Sequence, residues 1–576
     1  MERQTRAGRA LAILAAVGLV AGCAGGAPPT SPASGSAPPT VTPMSPTVLT
    51  GTVYHVRPDG GSPEQCIGLA DAPYPGSGTG QPCAWDHPFR ALPPRGTARI
   101  AGGDALVIGA GSYKMGYGAP GAETCENEAS YDCLMSPVPS GPDASHPTRI
   151  LGAGWDTGCA SPPELWGSGR PWFVFNMTDS GNVQVACLEI TDHSSCIEDH
   201  AAAAGGSEYT CRRDTLPYGD WAATGLYAED SANVVLKDLN IHGLANNGVL
   251  AGRLTDWTVE NVRVAGNGLA GWNTDLVGDG SNSENHGTFH FRHWTVEWNG
   301  CGETYPDEKH LACWGQEAGG YGDGAGFGGT TGGTYVIEDS AFLHNTSDGL
   351  DMLYVRLPGS TIEIRRTISA GNDGNQIKLT AERAVLENVV IVSNCGAFHG
   401  MRYWNNGDDC RAGGDALALF LQPGGQMEVR NATITGQGST LMIAGCALGK
   451  ECKGKETVRV NNTLFQGQKV FWNSDEDVVF AWYDDESSPP MAKNPFVVQG
   501  SLITGARFGN VTPCPGTGNL CDVASGLTDP SIEHFDPMPR ADSPAVDAGL
   551  AAEAPPDDFT GQPRDSHPDI GAYERR

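Results

Sequence analysis

The sequence predicts an all-β chain wound as a single-stranded right-handed parallel β-helix, a solenoid with disulfide-pinned loops. Three observations predict it. Glycine supplies 79 of the 576 residues and charged residues only 18%, with no long run at helical spacing, a balance that favours short strands and tight turns. The central third repeats an alternating apolar strand that closes on a small turn with asparagine. The cysteines group as close sequence neighbours, each group able to pin one loop.

In chain order, residues 1–23 come first as a processing signal. Arg3, Arg6 and Arg9 precede an apolar run from Leu11 to Val20, and Val20-Ala21-Gly22-Cys23 resembles a bacterial lipoprotein signal and lipobox. That resemblance implies cleavage before Cys23, lipid on its thiol, and a Pro/Ser/Thr-rich tether over residues 24–50. The chain is then exported and anchored to the cell envelope, its membrane partner reached through the N-terminal lipid. Ala24 follows the cysteine where an aspartate would retain a Gram-negative lipoprotein, which points to the outer membrane or cell surface. An ordinary signal peptide with an incidental cysteine is the simpler alternative.

Removing Cys23 from the 17 cysteines leaves 16, an even number suited to an oxidising compartment. Neighbour pairing gives Cys66–Cys83, Cys125–Cys133, Cys159–Cys187, Cys196–Cys211, Cys301–Cys313, Cys395–Cys410, Cys446–Cys452 and Cys514–Cys521. No CxxC pair is present, which argues against a thiolate zinc site. A formal charge of −31 excludes nucleic acid as a partner, and an acidic glycan would need a metal to bridge it to so acidic a protein. Solubility explains the same charge equally well. A monomer is expected.

The solenoid is read over residues 51–540. The segments 257–267, 291–299, 335–345, 362–372 and 385–394 each end in asparagine, and Asn267, Asn299, Asn345, Asn372 and Asn394 are 32, 46, 27 and 22 residues apart. One coil takes roughly twenty-odd residues and 46 is about two coils, so the steps fit one turn each plus loop insertions. Stacked asparagine amides bond the equivalent amide above and below, which satisfies polar atoms the turn would otherwise bury unpaired. The segments Tyr54-His55-Val56-Arg57-Pro58, 88–93 and 103–113 resemble the start of secreted β-helix proteins, and 543–549 with 569–574 resembles their final segment, so residues 541–576 are read as the C-terminal end of the solenoid.

The window that carries chemistry is 320–378. Asp323 lies between two glycines, Asp348-Gly349-Leu350-Asp351 follows one coil later, and Lys378 one coil after that. These residues resemble the family 9 pectate lyases, β-helix enzymes in which calcium is held by an aspartate on one coil and a D-D-G-x-D cluster on the next, with a lysine base in an N-G-F-K-L segment. The resemblance implies Asp323, Asp348 and Asp351 as calcium ligands and Lys378 as the base. Two departures stand against it: Ser347 occupies the place of the first clustered aspartate, and Gln376 and Ile377 replace glycine and phenylalanine before the lysine.

The residue types suit the chemistry. Calcium held by carboxylates neutralises a uronate carboxylate and so acidifies its C5 proton. A lysine beside a divalent cation loses its own proton more easily. Asn345, Asn372 and Asn375 are candidates to orient substrate, and Arg356 and Arg402 to bind sugar carboxylates bidentately. Trp272, Tyr321, Tyr354, Tyr403 and Trp404 are candidates to stack on sugar rings, while His286, His290 and His293 lack metal-motif spacing. The expected function is a polysaccharide lyase cleaving an acidic, uronate-containing polysaccharide by calcium-assisted β-elimination. Its rivals are a polygalacturonase-type hydrolase using the same aspartates and a non-catalytic surface β-helix that binds glycan. Asp-Gly is also an ordinary turn dipeptide, and a plain ion pair between Lys378 and Asp351 is the bland reading of the cluster.

Overall fold

A computed structural model describes residues 49–198, 209–276, 284–315, 322–404, 414–472, 474–486 and 489–576. Its strands pair almost wholly in parallel and run in three sheets around one core, the right-handed β-helix that the repeats predict. Around the site, sheet one is formed by Ala270–Asn273, Ala325–Gly326, Leu350–Met352 and the first halves of Ile377–Glu387 and Leu417–Arg430. Sheet two contains the first half of His286–Glu297, then Thr334–Glu338 and Thr361–Arg365. Sheet three contains the second half of His286–Glu297, then Ala341–Leu343, Ile368–Ala370 and Val390–Ser393. Within each strand, alternate residues face the core, as a period of two requires.

The corner between sheets two and three is one or two residues wide, and its first residue lies in the left-handed region. Asn261 (φ 54°), Asp339 (51°), Asn388 (53°), Asn431 (46°) and Asn462 (51°) occupy it on different coils. Short side chains that tolerate this conformation explain the recurring Asn or Asp there. Arg366 (46°) and His293 (51°) take the same place at greater steric cost.

At the turn between sheets three and one, the asparagine ladder forms. Asn267 Nδ2 donates to Asn299 Oδ1 (2.9 Å), Asn299 Nδ2 to Asn345 Oδ1 (2.9 Å) and Asn345 Nδ2 to Asn372 Oδ1 (2.8 Å). The 46 residues from Asn299 to Asn345 are one coil with a long insertion, not the two coils that the spacing suggested, since the strands on either side pair directly. Asn394 does not continue the ladder. Gln376 closes the ladder instead, its Oε1 accepting from Asn372 Nδ2 (2.8 Å), while Asn394 Oδ1 caps the backbone N–H of Gly396 (3.0 Å).

The core is aromatic near the site. Trp257, Trp272, Trp294, Phe289, Phe291 and Phe342 are all fully buried, with Trp272 edge-on to Trp294 (centroids 5.6 Å). Trp272 is therefore a core residue and not a sugar platform, because its register partner Ala325 lies in the inward column. The C-terminal tail runs along the outside of sheet three. There Ile570 and Ala545 pack on Leu464 and Leu502, Ala572 packs on Val390, and Gly571 N donates to Asn462 O (2.8 Å). Seven of the neighbour disulfides form, from Cys66–Cys83 to Cys514–Cys521. Cys410, the expected partner of Cys395, lies outside the described residues. Among the described residues no helix is long and apolar enough to cross a membrane.

The ladder makes a stability prediction. Asn299→Ala leaves the backbone and side-chain donors of Asn267 buried without their acceptor, while Asn345 Oδ1 keeps only the backbone N–H of residue 299, and should cost about 2–3 kcal/mol. Asn394→Ala, outside the ladder, should cost under about 1 kcal/mol. Denaturant unfolding of the two variants side by side is the check, and equal losses would remove the ladder's special role.

Candidate functional site

Register brings the four charged residues together. Gly326, Asp351 and Lys378 are successive partners in the outward column of sheet one. Asp323, Asp348, Asn375 and Asp415 form a second column in the turn, each two residues before an inward partner: Ala325, Leu350, Ile377 and Leu417. Gly326 has no side chain, so the column opens at that coil beside the Asp323 carboxylate.

Lys378 Nζ donates to Asp348 Oδ2 and to Asp351 Oδ2, both at 2.7 Å. Asp348 Oδ1 accepts from the backbone N (2.7 Å) and Nδ2 (2.9 Å) of Asn375, and Asp323 Oδ1 accepts from the backbone N of Asp348 (3.1 Å). Ser347, which stands where the resemblance leads one to expect an aspartate, donates its hydroxyl to Asp323. The Asp348 side chain is 2% exposed, Asp351 13% and Lys378 17%, so the whole cluster is largely shielded from solvent.

Three carboxylates face one ammonium, and the excess shows in their acidities. Burial, then the charges of Asp348 and Asp351, push the Asp323 carboxyl up to about 7. Burial also raises Asp351, against the pull of Lys378. For Lys378, burial alone would lower the pKa, but Asp348, Asp351 and Asp323 outweigh it and hold the group well above the usual lysine range. The sequence led to the opposite direction, on the premise of a neighbouring cation. In this arrangement the ammonium itself is the cation.

The donor set suits calcium in kind, being carboxylate oxygen, and in charge, since one more positive partner would relieve Asp323. In placement, Lys378 Nζ sits between Asp348 and Asp351. Among the described residues, the group whose ligand atoms lie within 4.8 Å of one another is elsewhere, at Glu189, His242 and Glu308.

The remaining sequence candidates divide. Asn345 and Asn372 are buried and their amides belong to the ladder, so they do not meet substrate; the turn needs their hydrogen bonds. Asn375 instead positions Asp348. Arg356 donates to Thr330 Oγ1 (2.9 Å) and lies over the Tyr354 ring (5.2 Å). Arg402 is on the small sheet of Cys301–Glu303, His310–Trp314 and Arg402–Trp404, with its guanidinium 5.3 Å from the Tyr209 ring centre. Cys23, Tyr321 and the side chains of Tyr403 and Trp404 lie outside the described residues.

Asp415 was missed. It is buried, bonded by Ser439 (3.2 Å) and Thr440, and raised to about 6, first by burial, with Asp348 adding to the effect. Its signal was Gly414-Asp415-Ala416 opening a strand, the same small-Asp-small turn as Gly322-Asp323-Gly324.

No protein-family model matches the chain, and no curated protein matches it. Solved structures resemble it in fold. The crystal structure of pectate lyase Pel9A matches with a TM-score of 0.40 at 12% identity, covering 92% of this chain and 98% of that one. An alginate lyase from Paenibacillus sp. gives 0.31 at 13%, covering 69% and 93%. The A-module of the mannuronan C-5 epimerase AlgE6 of Azotobacter vinelandii gives 0.34 at 11%, covering 73% and 91%. At these scores the likeness assigns no activity to this chain.

Asp415 sets a pH test. Its folded-state pKa of about 6 lies above the ordinary carboxyl value, so between about 4 and 6 the folded chain holds a proton that the unfolded chain has lost. Stability from this group therefore falls as pH rises through that window, by on the order of 2–3 kcal/mol, and stays low above it. Asp415→Asn should flatten the fall. Unfolding midpoints from pH 4 to 8 measure it, and an unchanged slope would refute the assignment.

Proposed function

We propose that the chain cleaves a uronate-containing polysaccharide by β-elimination, with Lys378 as the base. The observation that supports this most directly is the meeting of Lys378 with Asp348 and Asp351 at 2.7 Å on an outward column, with Asp323 one coil away. An amine at the rim of a carboxylate cluster is what proton abstraction next to a bound uronate needs.

Calcium, held by Asp323, Asp348 and Asp351, would neutralise the substrate carboxylate and compete with the Lys378 ammonium for theirs. The residues of the chain do the rest. Asn375 fixes one oxygen of Asp348, leaving the other for the cation or the amine. Ser347 holds Asp323 in place of an acidic neighbour, which keeps the cluster from carrying a fourth charge. Lys378 Nζ, once neutral, takes the C5 proton; the C5 electron pair forms the C4–C5 double bond, and the C4–oxygen bond breaks with the leaving oxygen taking a proton. The aspartates serve a hydrolase less well, since Asp348 and Asp351 are both tied to Lys378 and neither stands alone as a general acid.

The seven disulfides fit an oxidising compartment. With them goes the proposal that Cys23 carries lipid, tethering the solenoid to the envelope. Incorporation of labelled fatty acid, lost in Cys23→Ala, is its check.

A screen of pectate, alginate and glycosaminoglycan, followed in the near ultraviolet for the unsaturated product, tests the activity. Turnover should need calcium, vanish with chelator, and fall by about 100-fold to 10,000-fold in Lys378→Ala. Binding of a uronate polymer with no turnover on any of them would replace the lyase by a glycan-binding surface protein, a reading favoured by the firm ion pairing of Lys378.

A further inference from the structure

A second acidic centre lies on the outward side of sheet three, on coils before the aspartate cluster. Glu189 is on Gly181–Asp192 and His242 ends Ala232–His242. The hairpin of Cys301–Glu303 and His310–Trp314, closed by Cys301–Cys313, folds over them and brings Glu303 and Glu308. Between them is a cavity of about 180 Å³, with Glu164, Asp192 and Tyr305 also on its wall.

His242 is buried, with its side chain 4% exposed, and both ring nitrogens meet carboxylates: Nδ1 and Glu303 Oε1 at 2.6 Å, Nε2 and Glu189 Oε1 at 2.9 Å. Ligand atoms of Glu189, His242 and Glu308 all lie within 4.8 Å of one another. A second observation is independent of this clustering. Glu303 Oε2 has no hydrogen-bond partner although the side chain is only 4% exposed, and Glu303 lines the cavity. Room for that carboxylate is made by glycine: a Cβ at Gly266 would stand 2.4 Å from Oε2, and one at Gly243 3.2 Å from Oε1. An unpartnered buried carboxylate oxygen costs at least about 1–3 kcal/mol, which water held in the cavity would offset.

We infer that Glu189, His242 and Glu308 form a site for a divalent transition-metal cation of the zinc type. An imidazole nitrogen with carboxylate oxygens selects such ions, whereas calcium takes oxygen alone. Nδ1 of His242 meets Glu303, the outer carboxylate contact that orients a metal-bound histidine, while Nε2 meets Glu189 Oε1, so the cation would enter by displacing the proton shared between Nε2 and Glu189. Three protein ligands, two from sheet three and one from the hairpin, leave a fourth position for water or a sugar hydroxyl. Arg263, whose Nη1 is 3.7 Å from Glu308 Oε2, is near enough to steer Glu308 but does not line the cavity. The site shares no residue with the aspartate cluster and does not depend on the lyase reading.

The full chain, stripped with chelator and titrated calorimetrically with zinc alone, tests this. One equivalent should bind with a Kd of about 1 μM or tighter. Cobalt in place of zinc should give visible bands that zinc abolishes. Glu308→Gln sits on an exposed hairpin and should weaken zinc at least about tenfold without moving the unfolding temperature; Glu189→Gln should weaken zinc likewise while lowering the unfolding temperature through the lost pair with His242, and Asp351→Asn should leave zinc binding as it was. No zinc binding by the parent chain, or binding equal in parent, Glu308→Gln and Glu189→Gln, overturns the site. Because Glu308→Gln carries the decision, failure of a His242→Ala chain to fold would not blur it.

Discussion

The register of each coil on the next is the constraint from which the rest follows. In a parallel stack the backbone of one strand is bonded to the strands above and below, and a slip of one residue would turn every inward side chain outward. Once Leu350 lies over Ala325 and Ile377 over Leu350, the outward places beside them are fixed as well, and Asp351 must meet Lys378. The same logic produces the left-handed corner column and the amide ladder. Loops lengthen freely between strands because they leave this register untouched.

Stacking like on like suits some side chains and punishes others. An amide both donates and accepts, so Asn267, Asn299, Asn345 and Asn372 satisfy one another in sequence. A carboxylate only accepts, and a column of aspartates has no such remedy. Here the column is interrupted by donors: the Asp348 backbone N–H and the Ser347 hydroxyl to Asp323, Asn375 to Asp348, Thr440 to Asp415, and the Lys378 ammonium between Asp348 and Asp351. These donors do not close the balance, and the raised Asp323 records the shortfall.

Sequence was a good guide wherever spacing is set by the coil. The strands, the ladder as far as Asn372 and the Asp323, Asp348, Asp351, Lys378 alignment follow from steps of one coil, except that the 46 residues from Asn299 to Asn345 proved to be one coil with an inserted hairpin and not two. It misled where a local substitute existed. Gln376 offers the same amide four residues after Asn372, and so took the place read for Asn394. Trp272 looked like a platform because exposure was read from residue type, whereas its alternation with the inward Ala270 placed it in the core. Asp415 escaped because the long loop before it broke the step. The Glu189, His242, Glu308 group could not be read at all, since its members come from three segments that only sheet three and a disulfide-closed hairpin bring together.

An acidic chain need not be locally unbalanced. With 67 acidic against 36 basic residues, this one still pairs its charges closely on sheet two, where Arg365 reaches Glu338 (3.3 Å), Glu363 (2.7 Å) and Glu387 (3.3 Å), and at the corner, where Arg366 meets Asp339 (2.6 Å) and Asp557 (3.0 Å). Those pairs are part-exposed, and water meets what they leave over. The two centres differ because a carboxylate surplus reaches the interior: three aspartates around one ammonium in one, and in the other glutamates around one imidazole, of which Glu303, with Oε2 unpartnered, is buried. Buried surplus charge is costly to fold and gains nothing for solubility, and that cost is the physical ground on which a cation is proposed for each centre.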